Sequence, residues 1–265
     1  LSDNETSEAG DTATFTVALT ARPASGTSVV LNITSSDNGT TSFDGSDPGE
    51  GYPSPATLTW DNTTWNIAET VTVYGKDDNQ LDDNTSYEIV FTVDDDNTTD
   101  AHFDTAVCTT CPPDNLTLSN IDNDTAGIVV TVLDNETSEN GTTATFTVNL
   151  TSRPKDNDNV TINIVSNDNG TDSIPPDEYG SAPGEGYPNP TTLTFTYAHD
   201  NGSTAQTVEV TGRDDFYDDD DVTYTVTMSV VAASTQDEYD SVVPDTVTLV
   251  NVDNDTAGFT YGAIS

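Results

Sequence analysis

An internal repeat is the feature that most constrains the fold of this 265-residue chain. Three polar or strand-like segments each occur twice at nearly the same separation: DNDTAG at 122–127 and 253–258, DNETSE at 3–8 and 134–139, and TATFTV at 12–17 and 143–148. A period of about 131 residues indicates two copies of one domain. We therefore predict one domain over residues 1–127, a second over 128–257, and the beginning of a further strand at 258–265.

Within each copy, apolar residues alternate with polar or small ones at the period of a β-strand. Ala13, Phe15, Val17 and Leu19 show this alternation in the first copy, and helical spacing is absent throughout. In the second copy the pattern predicts seven strands, A to G, at 128–133, 143–150, 159–166, 191–196, 206–212, 223–230 and 245–251. Short strands separated by Gly, Pro, Asn and Asp favour an all-β protein of two antiparallel, Ig-like β-sandwiches placed end to end.

The repeat is out of phase with the chain. The first copy lacks strand A, and residues 259–264 begin a strand with no domain behind it. Two interpretations stay open: the chain is an excerpt from a longer tandem array, or these residues supply strand A to the next subunit by strand addition. Both predict neighbouring copies arranged head to tail.

The chain is strongly acidic, with 47 Asp and Glu against 5 Lys and Arg and a formal net charge of -42. Such a charge repels phosphate backbones and anionic membrane surfaces, which argues against nucleic acid as a partner. No segment approaches the roughly 18 apolar residues of a membrane-spanning helix, so no membrane insertion is expected. Because self-repulsion opposes compaction, we expect a cation in the folded protein.

Seven strands followed up and down place the A to B, C to D and E to F loops beside the exit of strand G. The acidic residues that meet there in the first copy are Glu8, Asp37, Asp77, Asp78, Asp82, Asp83, Asp122 and Asp124. In the second copy they are Glu139, Asp168, Asp214, Asp215, Asp219, Asp220, Asp253 and Asp255. Oxygen-rich loops suit calcium, whereas zinc prefers His or Cys, and each copy has a single His. We predict structural Ca²⁺ at this pole; a solvated acidic surface is the alternative.

Three segments, TSEAGDTATFTV, VTVYGKDDNQLDDNTSYEIVFTV and LTLSNIDNDTAGI, resemble the Calx-beta repeat, especially the version found in tandem arrays of large extracellular surface and adhesive proteins. The resemblance covers nearly the whole chain twice. It implies a seven-stranded sandwich that binds calcium at one pole through the acidic residues named above. Asn123 and Asn254 depart from the pattern, because they occupy the middle of an otherwise acidic triplet.

Fifteen asparagines stand in N-x-S/T sequons, which predicts N-glycans and an extracellular or cell-surface location. We expect acceptors at Asn32, Asn38, Asn62, Asn84, Asn97, Asn115, Asn140, Asn149, Asn159, Asn169 and Asn201. Asn32, Asn115 and Asn149 lie on the outward phase of their strands. Asn123 and Asn254 are expected to stay unmodified, because a glycan there would crowd a metal site.

Two further motifs carry expectations. Outside the cell, Cys108 and Cys111 are expected to form a disulfide that closes a small loop. The hexapeptide PGEGYP, at 48–53 and 183–188, is expected to form an exposed, polyproline-like bulge.

These features favour a structural bead of a glycosylated extracellular fibre, sheath or adhesin stalk, rigidified by calcium at the domain junctions. The alternatives are a ligand-binding adhesin module, with Trp60 and Trp65 as the residues to test, and a halophilic surface-layer protein. An enzyme is not expected, since the sequence has neither a Ser-His-Asp order nor a Gly-rich phosphate loop.

Overall fold

A computed structural model of the chain describes residues 4–39, 49–155, 158–169, 184–197, 204–232 and 236–262. These residues form β-strands and one short 3₁₀ helix, Asp237–Tyr239. The chain divides into two compact units, Leu1–Asp124 (unit 1) and Thr125–Ser265 (unit 2). No helix among the described residues is long and apolar enough to cross a membrane. Because its described secondary structure consists of strands and this short 3₁₀ helix, the protein is all-β.

Among its described residues, unit 1 has eight strands in two sheets. They are β1 (Glu5–Ser7), β2 (Thr12–Val17), β3 (Ser28–Ser35), β4 (Gly51–Ser54), β5 (Thr57–Asp61), β6 (Glu69–Gly75), β7 (Thr85–Val93) and β8 (Leu116–Ile121). One sheet has the order β1-β8-β7-β3-β5 and the other the order β2-β6-β4. All neighbours are antiparallel except β1 and β8, which run parallel.

The part of unit 2 that the structure describes repeats this arrangement with one strand more. Its strands are β9 (Ile128–Asp134), β10 (Glu136–Ser138), β11 (Thr143–Leu150), β12 (Asn159–Ser166), β13 (Gly186–Asn189), β14 (Thr192–Thr196), β15 (Gln206–Gly212), β16 (Val222–Val230) and β17 (Val247–Val252). The sheets have the orders β10-β17-β16-β12-β14 and β13-β15-β11-β9. The added strand is β9, which pairs antiparallel with β11.

The core of each unit lies between its two sheets, because alternate residues of most strands point inward. In unit 1, Phe15 from the smaller sheet meets Phe91 from the larger one edge to face, with ring centroids 5.5 Å apart. Trp60 is also fully buried in this core. In unit 2, Phe146 and Phe195 occupy buried positions on β11 and β14. The alternation read from the sequence therefore marks the core.

Two details of the sequence-based strand assignment are wrong. Unit 2 has two short strands beyond the seven expected, β10 and β13. β13 arises from PGEGYP, which is not an exposed bulge: residues 186–189 pair with β15, and Glu185 is only 7% exposed. Proline is tolerated there because β13 is the edge strand of its sheet.

Candidate metal centre

A parallel strand pair brings one glutamate of each unit beside the exit of the last strand. In unit 2, β10 pairs with β17 so that Ser138 lies opposite Val252. The next residue, Glu139, donates its backbone N–H to the carbonyl of Val252 at 3.1 Å. In unit 1, the Glu8 N–H reaches the carbonyl of Ile121 at the same distance. Both glutamates thus lie next to the Asp-Asn-Asp sequence at 122–124 or 253–255, which we call the DND segment.

The DND segment folds back on the same glutamate. In unit 2, the Asp255 N–H donates to Asp253 Oδ1 at 2.7 Å, and the Asn254 N–H donates to Glu139 Oε2 at 3.0 Å. Unit 1 shows the same two bonds, from Asp124 to Asp122 at 2.6 Å and from Asn123 to Glu8 at 3.0 Å. The same loop geometry therefore occurs in both units.

The loop between β15 and β16 closes over the DND segment. The Tyr217 N–H donates to Asp215 Oδ1 at 2.6 Å, and the Asp220 N–H donates to Asp253 Oδ2 at 3.2 Å. Asp220 and its unit 1 counterpart Asp83 have positive φ angles of 62° and 64°, a conformation that Asp tolerates better than most side chains. The turn at these residues directs backbone donors toward the acidic loop.

These loops gather carboxylates into three clusters. In unit 1, ligand oxygens of Glu8, Asp78 and Asp124 all lie within 4.8 Å of one another. In unit 2, two clusters meet the same criterion: Glu139, Asp215 and Asp255, and Glu185, Asp215 and Asp219. Asp215 belongs to both. Two unit charges 4.8 Å apart repel by roughly 3 kcal/mol at an effective dielectric constant of about 20, so each cluster is costly without a counter-charge.

Burial and mutual repulsion raise the pKa values of several carboxyl groups at the pole. Burial, together with the charges of Asp78, Asp122 and Asp124, raises the pKa of Glu8 to about 7. Burial likewise raises the pKa of Glu50 to about 7, helped by the negative charge of Asp82. In unit 2, burial is the largest cause that raises the pKa values of four carboxyl groups: Glu139, Glu185, Asp219 and Asp255.

The donor set fits a hard divalent cation. Asp255 Oδ2 is buried and has no hydrogen-bond partner among the described residues, and Asp255 is a member of the first cluster of unit 2. A buried carboxylate oxygen without a partner is expensive unless something positive contacts it. Every clustered ligand is an oxygen atom, and calcium accepts six to eight of these in flexible geometry. The residues therefore fit Ca²⁺ better than a metal that needs nitrogen or sulfur.

The other acidic residues predicted for the pole lie around these clusters, in supporting positions. The carbonyl oxygen of Asp168 accepts the Glu185 N–H at 2.9 Å, and the Asp37 carbonyl accepts the Glu50 N–H at 3.0 Å. Asp214 Oδ1 accepts the side-chain amide of Asn254 at 3.2 Å, and Asp77 does the same for Asn123. The Asp82 and Asp83 backbone N–H groups both donate to Asp122 Oδ2, at 3.2 and 3.0 Å.

Sequence reasoning missed Glu50 and Glu185. Both belong to PGEGYP, whose proline and glycine content pointed to a loop. Gly51 allows β4 to approach closely, since a Cβ there would stand 2.6 Å from the Tyr87 hydroxyl. Gly186 makes the same approach to Tyr224. A glutamate retained in both copies of a repeated hexapeptide was the available signal.

A buried polar network connects Glu185 to the sheet. Asn251 Nδ2 donates to Glu185 Oε2 at 3.0 Å and to the carbonyl of Arg213 at 3.0 Å. Its Oδ1 accepts the Thr137 hydroxyl at 2.9 Å, and Thr137 Oγ1 is 3.1 Å from the Tyr224 hydroxyl. Asn120 occupies the same position in unit 1 and bonds the Thr6 hydroxyl and the Lys76 carbonyl. These asparagines hold the pole in register with the sheet.

The predicted glycan acceptors differ in exposure. The exposed ones are Asn38, Asn84, Asn97, Asn115, Asn140 and Asn169, and the partly buried ones are Asn32, Asn62, Asn149 and Asn159. Asn201 lies outside the described residues. Asn32 and Asn149 are thus less open than their outward strand phase suggested. Cys108 and Cys111 are joined by a disulfide, with Cα atoms 5.3 Å apart.

No protein-family model and no curated protein matches the chain. Among solved structures, the calcium-binding domain CBD12 of CALX1.1 is similar at 10% identity and a TM-score of 0.29, over 95% of this chain and 97% of that one. The CupB2 chaperone of Pseudomonas aeruginosa is similar at 11% identity and a TM-score of 0.27, over 95% and 97%. The C-terminal domain of the Streptococcus agalactiae AgI/II polypeptide BspA follows at 13% identity and 0.24, over 95% of each chain. Similarity at these values says nothing about function.

Proposed function

We propose that each unit is a calcium-binding β-sandwich module and that the protein is a structural bead of an extracellular, glycosylated fibre, sheath or adhesin stalk. The observation that carries the calcium proposal is the buried, unpartnered Oδ2 atom of Asp255, a residue that belongs to a cluster of three carboxylates. The same loop geometry in unit 1 supports it. Calcium would supply the positive charge that the clusters lack, so it would act by stabilising the fold.

The two clusters of unit 2 predict neighbouring ions that share Asp215. One ion would contact the carboxylates of Glu139, Asp215 and Asp255. The other would contact the carboxylates of Glu185, Asp215 and Asp219. Calorimetric titration of the full chain with CaCl₂ tests this arrangement. Glu185→Gln should remove one ion from the stoichiometry, whereas Asp215→Asn should remove both ions of unit 2.

Matched control variants distinguish calcium binding at a specific site from a general effect of the negative charge of the protein. Asp245 and Asp114 are exposed and lie outside the clusters, so Asp245→Asn and Asp114→Asn change the charge equally without touching them. We expect Ca²⁺ to raise the melting temperature of both controls, and Asp78→Asn to weaken the effect in unit 1. A melting temperature that EDTA leaves unchanged at physiological ionic strength would contradict the calcium proposal.

Rigidity at the junctions is the mechanical part of the proposal. Asp124 is a member of the unit 1 cluster and also the last residue of that unit. Calcium bound there would restrain the chain where it passes into the next domain. Small-angle scattering with calcium and with chelator tests this, since a narrower distribution of interdomain distances is expected with the ion bound.

The extracellular part of the proposal is supported by the sequons that remain exposed. At Asn254 the side-chain nitrogen already donates to Asp214, and at Asn123 it donates to Asp77. We therefore expect these two asparagines to be unmodified and Asn38, Asn97 and Asn115 to carry glycans. Peptide mass mapping of the native protein before and after N-glycan removal tests the assignment; unmodified asparagine at every sequon would contradict it.

An adhesin module is the second candidate, supported by an exposed aromatic pair. Trp60 is a core residue and is not available as a platform. Tyr52 and Tyr74, in contrast, stack at 5.4 Å between ring centroids and are 41% and 40% exposed. A glycan array tests this function; binding lost in Tyr74→Ala would favour it. A halophilic surface-layer protein would instead show stability that follows bulk salt and ignores millimolar calcium.

A further inference from the structure

Unit 2 contains an open groove that has no part in the calcium proposal. It is lined by residues of β12, of β13, of the turn into β14 and of the chain just after β15. Its volume is about 780 Å³. Small-molecule sites usually have volumes of about 300 to 1,000 Å³, so the groove is large enough to hold a ligand.

Paired strands hold the lining of this groove in place. Asn163 lies on β12 directly opposite Thr192 on β14. Tyr187 lies on β13, which pairs with β15. The Arg213 N–H donates to the carbonyl of Glu185 at 3.0 Å. Because the backbone is fixed before a ligand arrives, binding would cost little ordering of the protein.

The groove has a flat, partly apolar surface. The Arg213 guanidinium lies over the Tyr187 ring, with Cζ 4.9 Å from the ring centroid, and Tyr187 is 40% exposed. Val165 is 56% exposed on β12, where unit 1 has the polar residue Thr34 at the same position. A sugar ring presents an apolar C–H face, and packing it on these side chains would remove apolar surface from water.

Polar groups of the same groove suit the hydroxyl groups of a sugar. Asn163 Oδ1 accepts the Thr192 hydroxyl at 3.4 Å, which leaves the two N–H donors of the Asn163 amide to face solvent. The side chains of Asn169 and Thr191 also line the groove. Amides and hydroxyls offer both donors and acceptors, and a sugar hydroxyl uses both.

The charge of the groove favours a neutral ligand. The charged residues that line it, among those the structure describes, are Arg213 and Asp214, whose formal charges cancel. The whole chain carries a formal net charge of -42. An anionic ligand would therefore be repelled by the protein without meeting net positive charge in the groove. A cation would find more carboxylates at the acidic pole.

We propose that this groove binds a neutral saccharide, with a pyranose ring packed against Tyr187, Arg213 and Val165 and its hydroxyls bonded to Asn163 and Thr192. The proposal rests on the adhesin candidate and gives it a site on unit 2. This site shares no residue with the calcium clusters or with the aromatic pair of unit 1. Two sources would supply the sugar: a separate glycan, or the N-glycan expected at Asn169.

Titration of the full chain, produced without N-glycans, tests the site by saturation-transfer NMR. The probes are diacetylchitobiose, cellohexaose and mannohexaose, each at concentrations up to about 10 mM. We expect at least one to bind, at least tenfold more weakly in Tyr187→Ala and in Val165→Glu, and with little change in Tyr187→Phe, which keeps the ring. Tyr261→Ala is the matched control, because Tyr261 is also exposed but does not line the groove.

Two results would overturn the proposal. One is the absence of binding to all three probes. The other is binding that Tyr187→Ala and Val165→Glu leave unchanged, and binding lost in Tyr74→Ala instead would assign the adhesin function to unit 1. Calcium titration of Tyr187→Ala should match that of the unaltered chain, so failure of the groove and failure of the calcium proposal are distinguishable.

The glycosylated chain distinguishes the two sources of the sugar. If the glycan at Asn169 fills the groove, the glycosylated chain should bind the added probe at least tenfold more weakly than the chain without glycans, and Asn169→Gln should restore binding. Equal binding by the glycosylated and unglycosylated chains would support a separate glycan as the ligand.

Discussion

The two units share the backbone hydrogen bonds of their acidic pole and differ at one sheet edge. At the pole, the bond from the DND segment to the glutamate is 3.0 Å long in both units. At the edge, Val148 is fully buried between β9 and β15, whereas Val17 is flanked by β6 alone among the described residues and is partly buried. The comparison teaches that the pole is organised by the last strand and the short parallel strand beside it, and does not depend on the strand that covers the edge.

The largest expected effect tests whether the pole is equivalent in the two units. Asn251→Ala should destabilise unit 2 by about 3 kcal/mol, because it leaves Glu185 and the Arg213 carbonyl without a buried donor. Asn120→Ala should destabilise unit 1 by a similar amount. Urea unfolding distinguishes the units, since both tryptophans of the chain, Trp60 and Trp65, lie in unit 1.

Asn163→Ala serves as the control for these variants, because Asn163 is exposed on β12. Asn120→Ala should shift the tryptophan transition and Asn251→Ala should leave it unchanged. If Asn251→Ala is no more destabilising than the control, the buried network does not hold the pole in place.

A smaller effect tests the difference at the edge. Val148→Ala should cost about 2 to 3 kcal/mol, as expected when methyl groups are removed from a fully buried site. Val17→Ala should cost only about 1 kcal/mol in dilute protein, because its side chain is already partly exposed. Denaturant unfolding gives both values, followed by tryptophan fluorescence for unit 1 and by far-ultraviolet circular dichroism for the whole chain. Equal costs would mean that β9 contributes little to the burial of the edge.

Much of this organisation was readable from the sequence. The repeat and the two-residue alternation predict the core, as Phe15 and Phe146 show, and the traverse of the strands brings Glu139, Asp215 and Asp255 together. The role of Glu185 was not readable, because PGEGYP has the composition of a loop. Only its pairing with β15 makes it a strand, and strand pairing depends on tertiary contacts that local composition does not encode.

The last expected effect is a pH dependence of the stability of unit 1. In EDTA, Glu8 and Glu50 have pKa values of about 7 in folded unit 1, against 4.5 for an ordinary glutamate. The folded state therefore binds more protons than the unfolded state between these values. Unit 1 should be most stable near pH 4.5 and should lose roughly 2 kcal/mol as the pH rises to about 7, after allowance for partial exposure.

Tryptophan-monitored unfolding of unit 1 across this pH range measures the loss directly. Glu50→Gln should reduce the slope of the profile without abolishing it, because glutamine cannot acquire the charge that burial opposes while Glu8 still can. With Ca²⁺ present the slope should reverse, since the ion binds the charged carboxylates and displaces their protons. A profile in EDTA that rises with pH between about 4.5 and 7 would contradict the electrostatic account of the pole, because it would mean that Glu8 and Glu50 are stabilised as anions without a cation.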